Sequence, residues 1–258
     1  MEILVFCLLF AAHHYASLSM QTLFLHRYSA HGQFSMERRT EKVFFALTWI
    51  FQGSSYLSAH AYGIMHRMHH EYADTELDPH SPRFVRYGPI GLMARTWKFY
   101  NGISSGKIKI EKRFLERYLP KWYKFDRFAS HWATRVSWIG IYALLYYAIL
   151  GSWWTMWFMW PLFIITIFMG PTHGLIINYF NHKVGSKKFS MKNDSTNIPI
   201  SSVMLGENYH NNHHKHPWSP DFSLGEGSDP GYSLMLILDY YKVIRLRPDI
   251  DTNHASSY

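Results

Sequence analysis

Cysteine is nearly absent. Cys7 is the only one in 258 residues, which excludes a disulfide framework, a cysteine-ligated zinc site and an iron–sulfur cluster. There is no CxxC, no GxGxxG opening a helix and no fused haem-binding module, so the chain carries no redox relay of its own. The HExxH signature of zinc hydrolases is missing, because His70-Glu71-Tyr72-Ala73-Asp74 lacks the second histidine. Soluble di-iron carboxylate proteins need two Glu-x-x-His motifs, and only Glu207-x-x-His210 fits here. A basic n-region and a small-residue cleavage site are also missing from the start, so no secretory signal peptide is expected. Low-complexity segments are absent, and the one internal repeat is a pair of HxxHH words.

Charge is missing from long stretches. Ile3 to Leu25 has no Lys, Arg, Asp or Glu and is long enough for one span of roughly 20 residues. His13, His14, Ser17 and Gln21 make it a wet span that packs on other helices. Val43 to Tyr62 is also uncharged but is interrupted by Gln52-Gly53-Ser54-Ser55, and reads as interfacial or re-entrant. Val136 to Met169 has neither charge nor histidine. With its continuation to Asn181 it fits two spans joined at Gly151-Ser152-Trp153-Trp154. Tryptophans suit a membrane interface, and a turn without Lys or Arg belongs outside.

What is abundant is histidine, aromatics and positive charge. Aromatics are 18% of residues, with 10 Trp and 18 Tyr, which suits interfacial belts. The net charge of +8 is concentrated in Arg83 to Arg135, where 13 Lys/Arg face 3 Asp/Glu. Next to apolar spans, this points to anionic lipid or a phosphate-bearing substrate rather than nucleic acid. A solvated cytoplasmic cap is the plainer reading. Tyr232 to Arg247 reads as an amphipathic helix.

Eight of the 17 histidines fall in three boxes: His26-x4-His31, His66-x-x-His69-His70 and His210-x-x-His213-His214. On a helix, i and i+4 nearly eclipse, while adjacent residues diverge by about 100°. One HxxHH box can therefore feed two metals from a single turn. His26-x4-His31 fits no clean helical face and suits a helix end running into a turn. Asn178 and His182 form a further i, i+4 pair. Buried imidazoles without partners are costly, and metal is the obvious compensation. All-nitrogen ligation suits Zn, Cu, Fe or Ni, and nine nitrogen ligands exceed the needs of one ion. A histidine-rich iron pair in a membrane points to oxygen activation against an unactivated C–H bond. His13, His14, His60, His131, His173 and His254 are expected to be ordinary interfacial histidines, with His80 and His216 open.

The order H-x4-H, HxxHH, HxxHH around a late apolar hairpin resembles the membrane fatty acid desaturases. Asp78-Pro79-His80 and Gly206-Glu207-Asn208-Tyr209-His210-Asn211-Asn212-His213-His214 resemble the acyl-CoA, stearoyl-type branch most. The resemblance implies two iron ions (Fe2+/Fe3+) with O2 as co-substrate and no catalytic side chain beyond the metal ligands. One iron would take His26, His31, His66, His70 and His214. The other would take His69, His182, His210 and His213, with Asn178 acting through a water. It implies desaturation of a fatty acyl-CoA or other acyl lipid, with electrons from a separate ferredoxin or cytochrome b5-like donor. The family has two spans before the first box, whereas 25 residues precede His26 here.

The expected fold is an all-α integral membrane protein: transmembrane helices carry a cytoplasmic helical cap that holds the dimetal site. A single domain covers 1-258, with spans near 3-25, 136-152 and 154-178. Residues 43-62 lie in the interface or re-enter, and the cap comprises 63-135 and 182-258. The protein is expected to be multi-pass, with its metal site on the cytoplasmic side of the bilayer. A lipid, alkane or carotenoid hydroxylase or ketolase is the alternative within the same metal chemistry. A non-catalytic metal-binding membrane protein is the alternative outside it, although a transporter should show ionisable residues within Val136–Met169.

Overall fold

The first helix decides where the other elements sit. In a computed structural model, which describes residues 1–247, α1 (Glu2–Met20) runs without a break into a π-wound segment, Gln21–Ala30. The resulting 29-residue helix is long and apolar enough to cross a membrane. Its first half exposes Leu4 and Leu8 and buries Phe6 and Leu18, whereas every residue of the π-wound half is buried. The helix thus leaves an apolar exterior and enters a packed interior. The expected extension of the cap to residue 258, His254 included, lies outside the described residues.

The rest of the chain wraps this helix in an all-α membrane fold. A two-stranded antiparallel pair, β1 (Phe34–Ser35) with β2 (Arg245–Leu246), is the only sheet among the described residues. α2 (Arg38–Gln52) packs along α1 and buries Glu41, Phe44, Phe45, Thr48 and Gln52, the spacing of one helical face. It stops at Gly53, whose φ of +47° favours glycine and where a Cβ would collide with the Tyr142 hydroxyl. Residues 43–62 are therefore two elements meeting at a tight corner. α3 (Ala59–Tyr72) follows, N-capped by Ser58, and packs against the π-wound segment. α4 (Gly88–Ser104) and α5 (Tyr123–Ala129) complete the first part of the cap.

α6 (Trp132–Leu150) is the second helix long and apolar enough to span. It ends where expected. Gly151 adopts φ +66° and donates to Tyr147 O at 2.8 Å, and Ser152 then caps α7 (Trp153–Phe158). The single span expected over 154–178 is instead divided. α8 (Trp160–Ile167) and α9 (Met169–Asn178) meet at Phe168, and the bend between α8 and the stretch from Met169 to His182 is 84°. Pro161 cannot continue α7, because it lacks an N–H and its ring restricts the residue before it. Ser54 and Ser55 bond into the second break, Ser54 Oγ to Ile167 O at 2.6 Å and Gly170 N to Ser55 Oγ at 3.1 Å.

The C-terminal part closes the cap with α10 (Ser201–Met204), α11 (His210–Lys215) and α12 (Pro230–Tyr240). The helix expected over Tyr232–Arg247 thus ends early. Lys242 turns with φ +58°, Asp239 Oδ1 accepts the Leu246 N–H at 2.9 Å, and Ile244 is fully buried beside Met235 and Phe24. Burying Ile244 and pairing β2 with β1 outweigh another helical turn. One ion pair ties this closure to the first helix. Arg27, with no solvent exposure, donates twice to Asp229 at 2.9 Å and lies 3.9 Å from the Phe222 ring centroid.

Candidate metal centre

The π winding explains the first box. An α-helix would turn His26 and His31 to different sides, but a π turn closes between residues five apart. The His31 N–H donates to His26 O at 3.1 Å, and both rings reach one site. Arg67, in the second box, clamps the end of this segment by donating to Ser29 O at 3.0 Å and Ala30 O at 2.9 Å. The second box lies on α3, the third on α11, and His182 on a 3-10 turn following α9.

Nine imidazoles converge in two groups, each with its ring nitrogens within 4.8 Å of one another: His26, His31, His66, His70 and His213, then His69, His182, His210 and His214. In the first group the His70 Nε2 is 3.0 Å from the Nε2 of both His66 and His213, and His26 Nε2 is 3.0 Å from His213 Nε2. In the second, His214 Nε2 is 3.0 Å from His210 and 3.1 Å from His69, and His182 Nε2 is 3.0 Å from His210. The family-implied partition needs one correction: His213 and His214 exchange places. On α11 the outer pair His210 and His214 share a face as i, i+4 neighbours, and His213 turns to the other group.

Three buried carboxylates orient three of these rings. Glu207 contacts His26 Nδ1 at 2.7 Å, Asp78 contacts His69 Nδ1 at 3.0 Å, and Asp74 contacts His182 Nδ1 at 2.9 Å. An ionised carboxylate only accepts, so each Nδ1 donates and each Nε2 presents a lone pair to its group. Burial alone would raise the Asp78 carboxyl, but His69 and His80 overcome it and hold it at about 2. Against the same burial, His182, the Asp194 N–H and Ser81 hold Asp74 low, and His26, Arg27 and Thr22 lower Glu207. Burial, then repulsion by neighbouring imidazoles, pushes His66, His70, His210 and His213 well below the ordinary histidine value.

The remaining sequence candidates fall out unequally. Asn178 is half-buried at the end of α9 and makes no side-chain hydrogen bond to a described residue. His80 is 2% exposed, has both ring nitrogens unpartnered, and groups with His69 and Asp78. The Asp-Pro-His word was the signal for it and for Asp78. Asp74 had none. Outside the site, His13 bonds Phe51 O at 2.9 Å, His14 bonds Val203 O at 2.9 Å, and His131 accepts from the Ala133 N–H. His60 and His173 each keep an unpartnered Nδ1.

The donor set fits two metal ions. Imidazole nitrogens face one another at contact distance, and the buried His31 Nε2 has no hydrogen-bond partner. A cation in each group would satisfy them together, and all-nitrogen ligation suits iron among the transition metals.

Comparison with known proteins agrees in kind. A family model described as fatty acid desaturase matches residues 2–229. The hex-5-enoyl-[acyl-carrier protein] acetylenase of Moorena producens (strain JHB) is 29% identical over 200 residues, 74% of this chain and 60% of that protein. The icosanoyl-CoA 5-desaturase of Limnanthes douglasii is 29% identical over 200 residues, 75% of this chain and 50% of that one. The sn-1 stearoyl-lipid 9-desaturase of Anabaena variabilis is 29% identical over 161 residues, 60% and 52%. The matched parts are thus between half and three-fifths of these relatives' length.

Proposed function

The chain belongs to the fatty acid desaturase family, and we propose that it is a membrane di-iron oxidoreductase that introduces a double bond into a fatty acyl chain. The observation that carries this reading is the convergence of nine imidazoles in two adjoining groups. When bound there, the iron pair supplies the oxidising power of O2 against an unactivated C–H bond. Two hydrogens leave adjacent methylenes with two electrons, a separate donor protein supplies two more with protons from solvent, and O2 leaves as two waters.

The chain's own residues position. Glu207, Asp78 and Asp74 hold the Nδ1 protons of His26, His69 and His182, so that their lone pairs aim inward. Arg67 ties the first box to the second. Asn178 is proposed to assist the second group through a water. The substrate is a fatty acyl-CoA or other acyl lipid. The names of the relatives include acyl-carrier protein, CoA and lipid as acyl carriers, and regiochemistry follows from which methylenes are held beside the site.

We place residues 1-258 in one multi-pass domain. α1, α6 and the bent α8–α9 pair lie in the bilayer, α2 lies along its surface, and the metal site faces the cytoplasm. The donor is of ferredoxin or cytochrome b5 type. The test is a fatty-acid methyl ester profile of cells expressing the chain with a donor. A new unsaturated ester is expected. A hydroxylated product would move the reaction to the hydroxylase class, and an unchanged profile from iron-loaded protein would contradict the reading.

A further inference from the structure

The metal groups are not sealed on every side. His31, His70 and His214 reach an open cavity of about 370 Å³, and a second of about 330 Å³ shares His31, Arg67 and Arg117 with it. The charged lining of the two is Arg38, Arg67, Arg113, Arg117 and Arg247 against Glu41, Glu71 and Glu116. Arg38 pairs with Glu41, Arg113 pairs with Glu71, and Arg67 donates to backbone carbonyls. Arg117 and Arg247 have no carboxylate partner among the described residues. Trp218, 37% exposed, lines the first of these cavities with His31 and Arg117, its ring 3.7 Å from the Arg117 guanidinium and 6.4 Å from the His31 ring centroid.

Two kinds of anion could meet this face, and distance separates them. The phosphate of an acyl carrier stands a length of chain away from the methylenes being oxidised. A carrier of electrons needs the opposite, the shortest path to the metal ligands, because electron transfer weakens steeply with distance. Arg117 and Arg247, which have no carboxylate partner among the described residues, line one cavity with His31, and this favours the electron carrier. We propose that the face carrying Arg117, Arg247 and Trp218 docks an acidic one-electron carrier protein, with the Trp218 ring as its contact toward His31. The inference rests on the proposed reaction, which takes two electrons from outside. Two reduced carriers dock in turn, each gives one electron and each leaves oxidised. Charge complementarity at such a rim governs encounter rate and salt dependence.

The test uses the full chain in lipid nanodiscs, with a plant-type ferredoxin and a soluble cytochrome b5 domain as probes. At least one should bind, with affinity falling as salt is raised from 50 to 300 mM. Arg117→Glu and Arg247→Glu should each weaken that binding at least ten-fold, with metal content unchanged. Lys107→Glu, at an exposed lysine that lines neither cavity, is the control and should bind as wild type. Trp218→Leu should lower the ratio of donor-driven to methyl-viologen-driven turnover at least five-fold. Wild-type affinity in both arginine variants, or no binding of either probe to the wild-type chain, would overturn the docking surface. Methyl viologen bypasses docking, so absence of a double bond under viologen would fail the proposed reaction and leave the binding result to judge the surface.

Discussion

The Nε2 atoms of His70 and His213 stand 3.0 Å apart although 143 residues separate them in the chain. That contact expresses a reciprocal arrangement. α3 gives its outer pair, His66 and His70, to the first group and His69 to the second. α11 gives its outer pair, His210 and His214, to the second group and His213 to the first. Each short helix therefore holds both groups, and moving either helix disturbs both.

The orienting carboxylates should matter almost as much as the ligands. Asp78→Asn keeps the shape but lets the amide oppose the His69 tautomer that points a lone pair inward. Metal affinity or activity should fall roughly 10–100-fold, and Glu207→Gln should act likewise through His26. Iron titration of the stripped protein measures this. Wild-type affinity in both variants would remove the carboxylates from the account.

Arg27 and Asp229 offer a test of the cap closure. Asp229→Ala leaves a fully buried guanidinium without its anion, at a cost of about 3–5 kcal/mol. Thermal unfolding in detergent should shift down by several degrees. Replacing both, as Arg27→Met with Asp229→Leu, should recover part of the loss, because no unpaired charge remains.

His60 gives a pH dependence away from the metal groups. Burial, then Lys121 and Arg67, lowers its imidazole to about 4 from 6.5. The unfolded chain takes up this proton first as pH falls. The His60 contribution is therefore complete above pH 6.5, is lost between about 6.5 and 4, and changes no further below. Measured as midpoint against pH, His60→Gln should flatten that part of the decline. An unaltered slope would contradict it.

The boxes were legible because helical phase is written in their spacing, and so was the Gly151 turn. Three features were not. The H-x4-H spacing has no α-helical reading, and nothing in Gln21–Ala30 announces a π turn. The divided span escaped because hydropathy sums over a window, whereas the break follows from Pro161 and from serines 54 and 55, distant in sequence. His213 joins the first group, against the partition that the resemblance implies, because α11 pairs His210 with His214 by the same i, i+4 rule that pairs His66 with His70 on α3.

The most direct test of the central claim is iron per chain in the purified protein, for wild type and His213→Ala. Two groups of ligands require about two irons per chain. His213→Ala removes a ligand from the first group only, so iron should fall toward one while the second group keeps its metal. One zinc per chain in the wild type, or two irons held unchanged by His213→Ala, would contradict a di-iron centre divided in this way.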